Sequence, residues 1–253
     1  RVHYHTGLMD NPPSSDASAE VLRQHLIDAQ ELTLRFAATV WQAWSTLCGD
    51  VLEVGCGLGG GAIFWAQEFG ATATAVTIAP SHIKLVAKFA AEAGVGSRVR
   101  PLLSDALVVP GTNCYDSAVA IDSSSSFPRA PWFRRLASLL RPHGHVYIFD
   151  CFLGQPQYEE PFNRHWCARI GTIGEYFAAA REARFKLESI EDVSTSAINF
   201  WTATMAFMRA QLRDRLLSPA QVVKLTKSLE VHALIRQGLA TGGLRHVLLN
   251  FVK

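Results

Sequence analysis

The chain has 253 residues, of which 49% are hydrophobic and 18% charged. That is enough to bury one large α/β core, with or without a small lid. A formal net charge of +2, with no basic stripe, argues against nucleic acid as the main partner. No apolar run approaches the ~18 residues of a membrane span. Five scattered cysteines, Cys48, Cys56, Cys114, Cys151 and Cys167, form no Cys-x-x-Cys pair, which points to reduced thiols and a cytoplasmic setting. The sequence opens at Arg1 without a methionine and is read as trimmed, so an N-terminal extension stays open.

In chain order, residues 1–17 are rich in His, Gly, Pro and Asn and read as an irregular arm. From Ser18 to Leu47 apolar residues recur at helical spacing, giving one long or two shorter helices. Residues 1–47 are therefore expected to be an arm and helical lid, ahead of a domain over 48–253. Val51–Val54 is a strand ending in a glycine-rich turn, with a helix over Ala62–Phe69. Ala71–Thr77, Arg98–Leu103, Tyr115–Ile121 and His145–Cys151 read as further strands. Helices over Pro80–Ala93 and Pro131–Leu140 and a turn over Arg141–Gly144 lie between them. Gln155–Ile170 reads as a loop-like insertion, Gly174–Ala183 as a helix and Phe185–Val193 as a strand. Two amphipathic helices, Ala197–Leu216 and Pro219–Leu239, precede a last strand, Leu244–Val252. The alternation predicts a doubly wound sheet with helices on both faces, and cap insertions at 153–184 and 196–240 over the ligand mouth.

The turn Gly55-Cys56-Gly57-Leu58-Gly59-Gly60-Gly61 fits two templates. Gly55, Gly57 and Gly60 satisfy the dinucleotide pattern Gly-x-Gly-x-x-Gly. Gly55, Gly57 and Gly59, preceded by Glu53, satisfy Glu/Asp-x-Gly-x-Gly-x-Gly, the pattern of class I S-adenosylmethionine (SAM) methyltransferases. A nicotinamide enzyme needs an acidic residue ~20 positions on to hold the ribose. Thr77 stands there with no carboxylate near, which weakens the dinucleotide template and also departs from the commonest methyltransferase pattern.

Several segments then occur in a telling order. Val76-Thr77-Ile78-Ala79-Pro80-Ser81-His82 resembles the Val-Thr-Ile/Leu-Ser-Pro-x-Gln of the tocopherol, cyclopropane-fatty-acid and geranyl-diphosphate methyltransferases, with His82 in place of glutamine. Ser104-Asp105-Ala106, Tyr115-Asp116 through Ile121-Asp122-Ser123, Leu139-Leu140-Arg141-Pro142-His143-Gly144 and Gly242-Gly243-Leu244 resemble later motifs of the same branch. The likeness covers residues 45 to 253. It implies a Rossmann-like seven-stranded sheet with an antiparallel last strand, and SAM as cofactor. It further implies that Glu53, Gly55, Cys56, Gly57, Gly59, Thr77, Ile78, His82, Asp105, Ala106, Asp122 and Ser123 bind SAM. Asp105 would accept from the adenine amino group, and Asp122 would hold the methionine amine or orient a substrate.

The arm Val2-His3-Tyr4-His5-Thr6-Gly7 and the segment Val193–Trp201 resemble, more weakly, the arm and substrate-side segment of geranyl-diphosphate-type bacterial C-methyltransferases. The resemblance implies a C-methyltransferase of secondary metabolism acting on a prenyl, terpenoid or indole-type molecule, as in teleocidin-type methylation. His5, His165, Glu159 and Glu160 are the candidate bases, and Tyr4, Phe127, Phe200 and Trp201 the candidate substrate contacts. No set of His, Cys and Asp stands at metal-ligand spacing, so no metal is expected. O- or N-methylation of a phenol or amine is the alternative, and a non-catalytic SAM-binding or assembly module the alternative of another class. The N-terminal helix is a candidate surface for a homo-oligomer.

Overall fold

A computed structural model describes residues 2–213 and 217–253. Seven strands form one sheet in the order β3-β2-β1-β4-β5-β7-β6. They are β1 (Asp50–Val54), β2 (Thr72–Thr77), β3 (Val99–Leu103), β4 (Tyr115–Ile121), β5 (Leu140–Leu153), β6 (Lys186–Asp192) and β7 (Leu244–Val252). The first five run parallel, and β7 lies antiparallel between β5 and β6. The strand order reverses between β1 and β4, which opens a crevice at their carboxyl ends.

The central strands bury apolar side chains on both faces, as a sheet covered on both sides requires, while the edge strand β6 is polar and largely exposed. Leu52, Val54, Ala118, Ile148 and Leu249 face α4 (Arg129–Leu139) and α6 (Ile173–Glu182). Val51, Val119, Phe149 and Leu248 pack with the end of α1 (Ala19–Val40) and with α2 (Gly60–Glu68). Ala73 and Ala75 extend that second face beneath α2 and α3 (Pro80–Glu92). Helix α1 is capped by Ser18, whose hydroxyl accepts from the Val21 N–H. It buries Leu22, Leu26, Leu34 and Ala37 and leaves Val21, Leu32 and Phe36 exposed.

The stretch from the end of α1 to Leu47, open to a second helix on its spacing, is a run of hydrogen-bonded turns instead. The segment read as a loop at Gln155–Ile170 contains α5 (Glu159–Trp166), which buries Phe162. Pro161 sits in the first turn of that helix, where a missing N–H costs nothing. Arg141–Gly144, expected as a turn, continues the extended run of β5, with His143 in the left-handed region. Arg141 anchors it by pairing with Asp50 and Asp116 at 2.8 and 2.7 Å.

Helices α7 (Ser194–Leu212) and α8 (Pro219–Ala240) pack against each other and, with α5, roof the carboxyl end of the sheet. The expected end of α7 at Leu216 lies outside the described residues. Of the first cap insertion only α5 reaches the roof. Helix α6, held by a Thr172–Glu175 capping box, covers the sheet beside α4 instead.

Candidate active site

The glycine turn is held open by the backbone. Gly55, Gly57 and Gly59 all have positive φ, which only glycine adopts without strain. The N–H groups of Gly55 and Cys56 both donate to the Val76 carbonyl, tying the ends of β1 and β2 together. A Cβ on Gly57 would meet no protein atom within 4 Å, so the turn leaves a cradle there. Gly61 serves a different need. A Cβ there would lie 2.4 Å from Glu53 Oε1, so its absence makes room for that carboxyl. Glu53 is 4% exposed, and its Oε2 is buried without a hydrogen-bond partner. Burial pushes its carboxyl up to about 8, only partly offset by the Trp65 indole. Burial also raises the Cys56 thiol, which makes it an inert packing group.

The other expected cofactor residues gather at the carboxyl ends of β2, β3 and β4. Thr77 is buried and accepts from the Ala79 N–H at 3.1 Å. Ile78 is 76% exposed, an apolar surface at a strand end. His82 lies in the first turn of α3 with its Nδ1 buried and unpartnered. Asp105 is exposed and accepts from the Leu107 N–H at 2.8 Å, while Ala106 is buried. The Ser123 hydroxyl donates to the Val54 carbonyl at 2.7 Å, so it ties β1 to β4. A partnerless buried carboxyl oxygen, a glycine turn with room for a ligand at Gly57 and an exposed apolar strand end fit a cofactor that has an ammonium group, a flexible chain and an adenine ring.

Beside this cradle lies a cavity of about 500 Å³, formed by the arm, α1, α5, α7, α8 and the ends of β4, β5 and β7. Phe162, Trp166, Phe200, Trp201 and Phe207 form apolar walls. The floor is polar: His5, Asp122, Ser125, Asp150 and His246. Asp122 has φ 44°, a left-handed conformation for a non-glycine residue at the switch point between β4 and its helix. Its Oδ2 accepts from the Thr6 N–H at 2.5 Å, and its Oδ1 lies 3.0 Å from His246 Nε2. The Asp122–His246 approach is a close contact rather than an aligned hydrogen bond, since neither atom meets hydrogen-bond geometry. Burial alone would raise the Asp122 carboxyl, but His246 and the Thr6 amide outweigh it and hold the group below its ordinary value. Asp150 accepts from the Ser124 hydroxyl at 2.6 Å and the Ser125 N–H at 3.0 Å. Ser124 also lies 2.9 Å from the Tyr176 hydroxyl. Burial, and then the Asp122 charge, push Asp150 up to about 6.

The arm closes over both halves. A Cβ on Gly60 would lie 2.3 Å from the Val2 carbonyl oxygen, so the arm rests directly on the N-terminus of α2. The Gln30 amide donates to the His5 carbonyl at 2.6 Å, and the Leu8 N–H donates to the Thr33 hydroxyl at 2.7 Å. His5 is buried, its Nδ1 2.9 Å from the Thr6 carbonyl, and burial holds its imidazole below the usual value.

Of the four expected bases, only His5 lines the cavity. Glu159 and Glu160 are exposed in the first turn of α5, because that helix turns Phe162 inward and leaves them on its outer side. Glu160 pairs with Arg164. His165 is half-buried outside the cavity lining, its ring 5.7 Å from that of His232. Of the expected substrate contacts, Phe200 and Trp201 wall the cavity and Tyr4 lines it while remaining 77% exposed. Phe127 packs on Trp132 and stands near Gly55, outside the cavity lining. Asp150, His232 and His246 were not among the expected site residues. An ionisable side chain inside an apolar strand run, as in Ile148-Phe149-Asp150-Cys151 or Arg245-His246-Val247, was the available signal. Among the described residues no group of three or more His, Cys, Asp or Glu is placed to hold a metal ion.

Residues 51–144 match the family described as a methyltransferase domain. Chloroplastic tocopherol O-methyltransferase of Arabidopsis thaliana is 27% identical over 175 residues, which are 68% of this chain and 46% of that protein. Geranyl diphosphate 2-C-methyltransferase of Streptomyces lasalocidi is 25% identical over 167 residues, 60% of this chain and 53% of that protein. The chain thus spans about half the length of these relatives. The crystal structure of geranyl diphosphate C-methyltransferase from Streptomyces coelicolor A3(2), in complex with Mg²⁺, geranyl diphosphate and S-adenosyl-L-homocysteine, matches with a TM-score of 0.82. That match has 16% identity and covers 99% of this chain and 91% of the other. Residues 51–144 are therefore a methyltransferase domain, and the described chain has the seven-stranded fold of SAM-dependent methyltransferases.

Proposed function

We propose that this chain transfers a methyl group from SAM to a small, largely apolar acceptor, at a carbon of a prenyl or terpenoid group. The observation that carries the reading is the aromatic-walled cavity with a carboxylate- and imidazole-lined floor, set beside the glycine cradle. The sulfonium supplies an electrophilic methyl group. The chain holds the acceptor in line and keeps water out, which lowers the barrier by ~7–11 kcal/mol when orientation is good. Glu53 and the glycine turn hold the cofactor, while the seated arm covers it.

Methylating an alkene carbon leaves a carbocation on the acceptor. The faces of Trp166, Phe200 and Trp201 suit such a charge, at ~0.5–2 kcal/mol each. A proton must then leave, and two imidazoles stand on the floor to accept it. His246, with Asp122 beside its Nε2, is the better placed, because the carboxylate stabilises the imidazolium that forms. His5 is the second.

The test is transfer of labelled methyl from SAM to a prenylated indole and to a terpene alcohol. The reading expects label on carbon, and label only on oxygen or nitrogen overturns it. His246→Ala and His5→Ala, assayed alongside, separate the bases: loss of the true base lowers turnover by about 10²–10⁴. O-methylation is the second reading, favoured by the same imidazole–carboxylate pair, which also suits removal of a hydroxyl proton.

A further inference from the structure

We infer that the acceptor is uncharged and carries a hydroxyl group at the end remote from the transferred methyl, seated between Trp201 and His232. The inference rests on the methyl-transfer reading and adds the acceptor's chemical class to it. The roof of the cavity, formed by α5, α7 and α8, holds two polar groups with no partner. Trp201 Nε1 and His232 Nδ1 are both buried without a hydrogen bond, in residues each 8% exposed. The two rings touch, with centroids 4.8 Å apart at 71°, and Trp166 stacks parallel to His232 at 6.0 Å. All three line the cavity.

An unpaired buried donor or acceptor is costly in a native structure and calls for an occupant. The indole N–H can only donate. The His232 Nε2 lies 3.5 Å from the Ser228 hydroxyl, which can donate or accept; with the ring proton on Nε2, Nδ1 is an acceptor. One hydroxyl satisfies both at once, accepting from Trp201 and donating to His232. A carbonyl or an ether serves only Trp201.

Charge argues the same way. Burial holds the His232 imidazole down at about 4, so it is neutral at working pH. Among the described residues, one guanidinium lines the cavity: Arg23, which is exposed and paired with Glu20 at 2.9 Å. Among the described residues no lysine lines the cavity, and two of its floor groups are the carboxyls of Asp122 and Asp150. A diphosphate would meet more negative than positive partners there, and an alcohol pays no such penalty.

The experiment is calorimetry on the full chain loaded with S-adenosyl-L-homocysteine, titrated with geraniol, geranyl methyl ether, and geranyl diphosphate with Mg²⁺. Geraniol is expected to bind at least tenfold more tightly than either other probe. Trp201→Phe and His232→Phe are each expected to weaken geraniol about tenfold while leaving S-adenosyl-L-homocysteine affinity unchanged. The inference is overturned if geraniol does not bind, if the ether or diphosphate binds as tightly, or if both variants bind geraniol like the parent. Thermal melts identify a variant that has lost its fold, and the other variant then decides. Failure to take up S-adenosyl-L-homocysteine would count against the methyl-transfer reading instead, and the same titrations on the free protein would still decide the hydroxyl seat.

Discussion

Glu53 lies next to the end of an apolar strand, its carboxyl buried and one oxygen lacking a hydrogen-bond partner. Its folded value of about 8 lies above the ordinary 4.5, so the folded chain without ligand keeps it protonated near neutral pH. A raised folded value contributes stability that is fully present below about 4.5 and is lost as pH rises through about 8. Glu53→Gln should therefore match the parent in thermal stability at low pH and exceed it above pH 8. An ammonium group placed beside Glu53 reverses the preference and expels the proton. SAM binding at pH 7 should thus release close to one proton, read as a dependence of calorimetric enthalpy on buffer ionisation. Glu53→Gln should abolish that dependence and weaken binding. An enthalpy independent of buffer in the parent would count against Glu53 as the ammonium partner.

The arm is the element on which the two halves of the site depend. It rests on Gly60, donates through Thr6 to Asp122 and passes His5 into the cavity floor. Gly60→Ala places a Cβ 2.3 Å from the Val2 carbonyl, and the arm must lift to relieve it. Hydrogen exchange should report this at the Thr6 amide, which is expected to lose protection by at least tenfold while the core strands keep theirs. Unchanged protection would mean that the arm does not depend on that contact. Elements such as β4 and β7 were legible in sequence because each carries a short apolar run, Ala118–Ile121 and Val247–Leu249. Helix α5 was not, because Pro156, Pro161 and neighbouring charged residues look like a loop. The spacing of Tyr158 and Phe162, four apart and both buried, was the helical signal.

Across the whole molecule, the proposed cofactor half is readable in the sequence because it is local. Glu53 to Gly61 and Val76 to His82 are short runs whose backbone conformation is set by their own residues. The acceptor half is not local. Thr6, Asp122, Asp150, Trp201, His232 and His246 come from six separate places in the chain, and only the sheet topology and the cap bring them together. No periodicity in the sequence encodes that meeting. The same separation explains why Glu159 and Glu160 looked like bases: a carboxylate in a cap segment gives no sign of which way its helix faces.

The central claim is that the cradle at Gly57 holds SAM. Gly57 allows a direct test, since a Cβ there meets no protein atom within 4 Å and a side chain would grow into the proposed ligand space. Calorimetry with SAM and S-adenosyl-L-homocysteine should give one site per chain for the parent. Gly57→Val should weaken it at least tenfold, with the melting temperature lowered by no more than the ~1–2 kcal/mol of forcing a positive φ on a side chain. No heat with either ligand on the parent, or equal affinity in a folded Gly57→Val variant, would contradict the account.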